Sequence, residues 1–197
     1  MMARFSVILA DPPWLFRTRS EKGKGRSAEQ HYACLKIEDI KALPVESVSA
    51  RDSALFLWAT GPLLPEAIEV MRCWGFTYRC VAFTWVKRTP LGKFWHWGMG
   101  YWTRSNAEFC LLGARGDIRR VSAGVHSVLD DPVMNHSSKP HTAYDRIEAL
   151  MGPEQDYLEL FARNARPGWT AEGLELTGKD MRVALPALAA LPERQAA

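Results

Sequence analysis

The chain has 197 residues, a formal net charge of +3 at pH 7 and 47% apolar residues. This length favours one domain with a single core, and no apolar run is as long as a membrane-spanning helix. The first residues, MMARFSVILADPP, lack the layout of a signal peptide, so we predict a cytoplasmic protein with no membrane partner. The small net charge does not by itself indicate a nucleic-acid partner.

Apolar runs alternate with helical patterns along the chain, which predicts an α/β fold with a largely parallel sheet. The predicted strands are the apolar runs at residues 5–10, 53–60, 78–87, 108–114 and 156–163, and 169–176 is a candidate for a last one. The predicted helices have apolar spacing near 3.6 residues and lie at 36–43, 65–75 and 140–152. Residues 115–137 are expected to be irregular.

Two segments between these elements are expected to be functional loops. Residues 17–30 are basic and rich in glycine, although charge alone favours a solvated, flexible loop. Residues 88–106 hold three closely spaced tryptophans, and loops of such length in a compact domain usually have a function. We predict one domain over 1–178, followed by a tail at 179–197 that either frays or docks as a small helix.

No metal, dinucleotide or P-loop motif is present in the sequence. The cysteines form no CxxC pair, and His136 and His141 have no carboxylate partner at metal spacing, so we predict no metal. No GxGxxG and no P-loop follows any predicted strand. Because ligands of such sheets bind outside the carboxyl ends of the strands, the segments that follow the strands are the candidate sites.

The segment DPPW follows the first predicted strand directly. The Asp11 carboxylate and the Pro12 carbonyl group offer two acceptors, and Pro12 and Pro13 fix the backbone that carries them. Two acceptors suit an NH2 group, and the Trp14 ring offers a face on which a base can stack. This pattern fits an exocyclic amine on a planar ring, such as N6 of adenine. The alternative is a turn that ends the strand and leaves Trp14 in the core.

The chain resembles the MT-A70 family of S-adenosylmethionine-dependent adenine N6-methyltransferases over roughly residues 5–178. The resemblance rests on an ordered set of segments: ADPPW, HYACLKIEDI, LFLWATG, WGFTYRCVAFTWVK, GYWTRSNAEFCLLGARG, HSSKPHTAYDRIE and LELFARNARPGW. It implies a Rossmann-like methyltransferase sheet with a permuted motif order, in which the catalytic DPPW comes first and the cofactor segment last.

The resemblance also implies roles for individual residues. The expected catalytic residues are those of the DPPW segment: Asp11, Pro12, Pro13 and Trp14. The expected contacts of the S-adenosylmethionine cofactor are Asp11, Lys139, Glu159, Phe161, Arg163, Asn164 and Glu175. The expected contacts of the target nucleic acid are Tyr32, Lys87, Trp102, Arg104, Asn106 and Glu108, with 17–30 and 88–106 as the target-binding loops. The chain departs from the family near its end, where Leu174 stands in place of an asparagine that contacts the cofactor.

The expected function is transfer of a methyl group to adenine N6 in nucleic acid, with DNA favoured over RNA. RNA methylation, a non-catalytic partner subunit with the methyltransferase fold and a plain nucleic-acid-binding domain remain as alternatives. A homodimer stays open as the oligomeric state.

Overall fold

The computed structural model of the chain describes residues 5–15, 34–100, 102–134 and 138–192. The strands are β1 (Phe5–Ala10), β2 (Ser49–Thr60), β3 (Thr77–Trp85), β4 (Glu108–Arg115), β5 (Val128–Leu129), β6 (Tyr157–Leu160) and β7 (Trp169–Glu172). The α-helices are α1 (Ile37–Lys41), α2 (Leu64–Cys73), α3 (His141–Met151), α4 (Leu174–Thr177) and α5 (Met181–Ala189). Short 3₁₀ turns at Val45–Val48 and Gly61–Leu63 precede β2 and α2.

The seven strands within the described ranges form one sheet in the order β5-β3-β4-β2-β1-β6-β7. The pairs β1–β2, β1–β6, β6–β7 and β3–β5 are parallel. Both pairs that include β4 are antiparallel, because β4 runs against its neighbours β2 and β3. The predicted α/β fold with a mostly parallel sheet is therefore confirmed, whereas the permuted motif order stays a prediction.

Strand β1 lies between β2 and β6, and its apolar side chains pack on both faces of the sheet. Ile8 and Ala10 belong to one core cluster, together with helices α2 and α5. Val7 and Leu9 belong to the opposite cluster, together with helix α3. A strand buried on both faces requires an uninterrupted apolar run, which explains why FSVILA carries no alternating polar residue after Ser6.

The observed elements differ from the prediction in two places, and in the tail they select one of the two predicted alternatives. The run at 169–176 divides into strand β7 and helix α4, because Gly173 separates them. The segment 115–137, expected to be irregular, contains the two-residue strand β5, which pairs with the end of β3. The tail contains helix α5, and the side chain of its N-cap residue, Asp180, accepts the Arg182 N–H group at 2.8 Å. Its buried residues, among them Leu185 and Leu188, join the same core cluster as Ile8.

The helices in the described part of the chain are short. The longest, α3, has 11 residues. None of them has the length and apolar character that a membrane-spanning helix requires.

Gly173 allows a close approach between two segments that follow β6 and β7. The Ala162 N–H group donates to the Glu172 carbonyl oxygen at 3.0 Å. A Cβ atom at Gly173 would lie 2.6 Å from Ala162 N and closer still to the Ala162 carbonyl oxygen. Both obstacles are backbone atoms, so the segment around Ala162 would have to move.

We expect Gly173→Ala to lower the free energy of unfolding by about 1–3 kcal/mol, because a backbone clash of this kind forces a local shift. Chemical denaturation with urea measures the change. Gly124→Ala is the matched control, because a Cβ atom added at Gly124 would have the Ser122 Oγ atom as its nearest neighbour, at a distance of 3.9 Å. Equal stability of both variants would contradict the prediction.

Candidate active site

A cavity of about 530 Å³ lies at the carboxyl ends of β1 and β6. These strands are parallel and in register, with Ala10 opposite Leu160, so the residues that follow them lie at the same edge of the sheet. Six residues expected from the sequence to hold a cofactor line this cavity: Asp11, Lys139, Glu159, Phe161, Arg163 and Asn164. Their positions in the chain are up to 153 residues apart, and the sheet topology brings them together.

The DPPW segment forms a tight turn at the end of β1. The Trp14 N–H group donates to the Pro12 carbonyl oxygen at 2.8 Å, and the Leu35 N–H group donates to the Pro13 carbonyl oxygen at 2.9 Å. The Pro12 carbonyl oxygen keeps its second lone pair, because an sp² oxygen has two. The backbone direction beside Asp11 is therefore held by two prolines and two hydrogen bonds.

The Trp14 side chain is buried, with 8% of its surface exposed. Its Nε1–H group donates to the Trp58 carbonyl oxygen at 3.0 Å, and its ring belongs to a core cluster. This arrangement anchors the turn to β2. Stacking of a base on the Trp14 ring stays a prediction, and the described geometry gives the ring a role in the core instead.

Four charged side chains form a chain of alternating sign that ends at Asp11. The Lys139 ammonium group lies 2.6 Å from Asp11 Oδ2 and 3.3 Å from Glu108 Oε2. Lys87 forms an ion pair with the other Glu108 oxygen. We call Lys87, Glu108, Lys139 and Asp11 the charge chain. It holds the Asp11 carboxylate in one orientation and connects it to the ends of β3 and β4.

The charge chain determines how its members ionise. Burial raises the pKa of Asp11 above the ordinary value of its carboxyl group, and the Lys139 charge opposes this effect. Burial disfavours the charged form of Lys139, but the carboxylates of Asp11 and Glu108 outweigh it and raise the Lys139 pKa. Burial likewise works against ionised Glu108, but Lys139 and Lys87 hold the pKa of Glu108 below its usual value. Lys139 and Glu108 are therefore charged at neutral pH.

Glu159 is a second carboxyl group in the cavity, on strand β6, and only 8% of its surface is exposed. The Tyr144 hydroxyl group donates to Glu159 Oε1 at 2.7 Å. Burial raises the pKa of Glu159 to about 7, although the Tyr144 hydrogen bond works in the opposite direction. This acid therefore titrates near neutral pH.

The backbone just beyond Glu159 is strained. Phe161 has φ of 63°, in the left-handed region that residues other than glycine rarely adopt. Such strain concentrates at functional sites, where the surrounding structure maintains it. Arg163 follows and lies 3.3 Å from Glu175 Oε1, so this ion pair connects Glu175 to the margin of the cavity. Leu174, at the position of the family asparagine, is exposed.

The expected target-binding residues fall into separate groups. Lys87 and Glu108 belong to the charge chain. Asn106 binds within the protein, because its amide group accepts from Lys87 N and donates to the carbonyl oxygens of Lys87 and His96. This geometry gives Asn106 a structural role in holding the loop, and its target contact stays a prediction. Tyr32 and the loop 17–30 lie outside the described residues.

The segment 88–106, which we call the tryptophan loop, presents large apolar side chains to solvent. Trp102 is 90% exposed and Trp97 is 63% exposed. The base of the loop is held by Arg88, whose guanidinium group lies over the Trp95 ring at 3.6 Å and pairs with Asp130. Arg104 is also exposed on this loop. Exposed aromatic side chains near a cation are suited to the stacking of unpaired bases.

Sequence reasoning missed several residues of the cavity, among them Trp58, His141, Tyr144 and Arg166. A signal existed for two of them, since His141 and Tyr144 lie three residues apart at the start of a predicted helix that follows Lys139. Trp58 had none, because it stands within an apolar strand. Its Nε1–H group has no acceptor among the described residues, although the atom is buried.

Comparison with known proteins agrees with this geometry. A sequence model of the MT-A70 family matches residues 5–175. The type II methyltransferase M.MunI of a Mycoplasma species is 32% identical, over 98% of this chain and 85% of its own length. The human N(6)-adenosine-methyltransferase catalytic subunit METTL3 is 31% identical over 90% of this chain, and the match spans 29% of METTL3. An MT-A70-like N(6)-adenosine-methyltransferase of Arabidopsis thaliana is also 31% identical, over 24% of its length.

The chain therefore spans most of one relative and less than a third of the two eukaryotic ones. The family match extends from the first residue of β1 to helix α4, and it includes the DPPW turn, the charge chain and Glu159. On this evidence the chain belongs to the MT-A70 family.

Proposed function

We propose that the chain transfers a methyl group from S-adenosylmethionine to N6 of adenine in nucleic acid, and that the polymer is DNA. One observation carries the proposal: Asp11 of the DPPW turn, the partly buried Lys139 and the buried Glu159 line one cavity at the ends of β1 and β6. The turn offers acceptors for an amine, and the other two groups suit a ligand with an anionic end and a diol.

The donor set of the cavity fits this cofactor. Lys139 has three N–H donors, of which Asp11 and Glu108 take two, so the third can bind a carboxylate group. Glu159 offers carboxylate oxygens to a diol, and the buried Trp58 Nε1–H group still needs an acceptor. A cavity of about 530 Å³ has the size of ordinary cofactor pockets. S-adenosylmethionine, when bound, supplies an electrophilic methyl group whose bond to sulfur breaks as the bond to nitrogen forms.

The DPPW turn prepares the target amine for attack. Asp11 Oδ2 is paired with Lys139, so Oδ1 remains to accept one N–H group of the amine. The Pro12 carbonyl oxygen accepts the other N–H group on its second lone pair. Two acceptors in fixed positions draw the nitrogen lone pair out of the ring plane, and most of the catalysis is positioning and electrostatics.

The amine loses one proton when its nitrogen gains a methyl group. Asp11 is the acceptor that the chain offers at this position, because its carboxylate already binds the N–H group. Burial raises the pKa of Asp11, which makes this carboxylate a better base than one in water. Lys139 keeps it ionised until the proton is transferred.

DNA is the favoured polymer for two reasons. The chain covers 85% of a type II methyltransferase but under a third of the two N(6)-adenosine-methyltransferases. The tryptophan loop suits bases that have been unstacked, which fits an enzyme that must extrude its target base from a duplex. RNA methylation is the alternative. A non-catalytic partner subunit is less well supported, because the DPPW turn and its charge chain are intact.

The direct test is transfer of a labelled methyl group from S-adenosylmethionine to adenine-containing DNA and RNA oligonucleotides. We expect transfer to DNA, and we expect Asp11→Asn to lower kcat by about 100-fold or more, because the variant loses a charged acceptor of the amine. Asp52→Asn, on strand β2 outside the cavity, is the matched control. The proposal fails if no adenine substrate is methylated or if Asp11→Asn keeps full activity.

The charge chain predicts a pH effect of Lys139→Met. The Lys139 charge attracts the Asp11 carboxylate and so opposes the effect of burial on the Asp11 pKa. Without this charge the pKa of Asp11 rises further. We expect a lower rate at neutral pH and an acidic limb of the rate profile that moves to higher pH. The measurement is kcat between pH 5 and 9, with Lys41→Met as the control because Lys41 pairs only with surface carboxylates. A profile unchanged in Lys139→Met would contradict this role.

The tryptophan loop predicts an effect on target binding alone. We expect Trp97→Ala to raise KM for the oligonucleotide by about tenfold, since stacking of one base on an aromatic ring is worth about 1–3 kcal/mol. The KM for S-adenosylmethionine should stay the same. Leu91→Ala removes another exposed apolar side chain from the same loop and should have little effect. Equal effects of the two substitutions would argue against stacking.

A further inference from the structure

We propose that Tyr144 is a positioning residue for the cofactor, whose hydroxyl group orients the Glu159 carboxylate toward the ribose hydroxyl groups. The proposal rests on the proposed function, because it assumes that Glu159 binds the ribose diol of S-adenosylmethionine. Tyr144 on helix α3 and Glu159 on strand β6 line the same cavity, and the Tyr144 hydroxyl group donates to Glu159 Oε1 at 2.7 Å. One oxygen is thereby fixed, and Oε2 is the oxygen that remains for a ligand.

The Tyr144 ring is held from two sides. The Arg166 guanidinium group lies 5.1 Å from the ring centroid, and the Trp169 ring packs edge-on at 5.5 Å. Glu148 connects the two supports, because it accepts from Arg166 Nε at 2.9 Å and from Trp169 Nε1 at 2.7 Å. The ring therefore has one orientation, and its hydroxyl group points at the carboxylate of Glu159.

The partner of Glu159 is neutral, in contrast to the partner of Asp11. A lysine at this position would cancel the negative charge of the carboxylate, whereas a phenol hydroxyl group fixes the carboxylate and leaves its charge available. Packing against Trp169 accounts for the ring of Tyr144 but not for its hydroxyl group. A phenylalanine would pack equally well, so the presence of the hydroxyl group indicates that it acts on the Glu159 carboxylate.

Charged and titratable groups approach Glu159 from three directions. They are Tyr144 from α3, Asp11 from the end of β1 and Arg166 from the segment after β6. Three further ones line the same cavity: Lys139, His141 and Arg163. Burial raises the pKa of Glu159 to about 7, Asp11 raises it too, and Tyr144 and Arg166 lower it. Without the Tyr144 hydroxyl group, the pKa of Glu159 must therefore rise, and less of the ionised acid is present at neutral pH.

The test uses the full chain with Tyr144→Phe and two readouts that do not depend on turnover. The first is the titration of the Glu159 carboxyl carbon by NMR in the ligand-free protein, assigned with Glu159→Gln. The midpoint, expected near pH 7 in the parent chain, should move upward by about one pH unit, because a hydrogen bond to a charged group is lost. The second is calorimetry with S-adenosylmethionine, where we expect the Kd at pH 7 to rise about fivefold, because a midpoint one unit higher leaves about a tenth rather than half of Glu159 ionised, and to recover toward pH 9.

Tyr157→Phe is the matched control. Its hydroxyl group is also buried but donates to the Gly152 carbonyl oxygen at 2.6 Å, and its ring also packs on Trp169. We expect neither the Glu159 titration nor the pH dependence of Kd to change in this variant. Site-specific 3-fluorotyrosine at position 144 keeps the ring and makes the phenol a stronger donor, so it should move the midpoint to lower pH even if Tyr144→Phe does not fold.

The proposal is overturned if the Glu159 titration is the same in the parent chain and in the Tyr144 variants. It is also overturned if Tyr144→Phe and Tyr157→Phe weaken cofactor binding equally and without a pH dependence. That result would indicate that Tyr144 contributes only by packing. Failure of the parent chain to bind S-adenosylmethionine would instead reject the proposed function, and the NMR titration would still report on the Tyr144–Glu159 pair.

Discussion

The ion pair between Lys139 and Asp11 is the interaction on which the rest of the site depends. Asp11 directly follows a strand that is buried on both faces. Ionisation of its carboxyl group there costs free energy unless a cation lies beside it. Lys139 lies just before helix α3, and Glu108 and Lys87 extend the pairing to the start of β4 and to the segment that follows β3. The ends of β1, β3 and β4 are thereby fixed relative to one another.

Because of this constraint, the geometry of the site depends directly on the order of the strands in the sheet. A buried charge is tolerated only when its partners are positioned within hydrogen-bonding distance, and here those partners arrive through the order of the strands. The same order brings Glu159 beside Asp11, because β6 is the parallel neighbour of β1. The two acids of the cavity, Asp11 and Glu159, consequently lie on two adjacent strands, and a shift of one strand relative to the other would move both acids.

Much of this arrangement could be predicted from the sequence, because it depends on features that are local along the chain. The strand FSVILA, the turn DPPW and the start of helix α3 each have a pattern within about ten residues. The pairs between distant side chains had no such pattern. Asn106 binds to Lys87 and His96 and the Trp14 ring packs in the core, and neither of these contacts could be read from the sequence, whereas their expected contacts with the target stay predictions. A residue type indicates what a side chain can bind, whereas only the packing of the chain decides which partner is near.

The two acids of the cavity differ in their partners, and this difference separates their tasks. Asp11 lies beside a cation, which favours its ionised form and suits the role proposed for it, to accept N–H bonds and then a proton. Glu159 lies beside a neutral hydroxyl group, and burial leaves its pKa at about 7. Burial raises the pKa of both acids, and for Glu159 it brings the pKa to the range in which ligand binding changes with pH near neutrality. Two carboxyl groups on neighbouring strands thus differ in their partners, which are an ammonium group at Asp11 and a phenol group at Glu159.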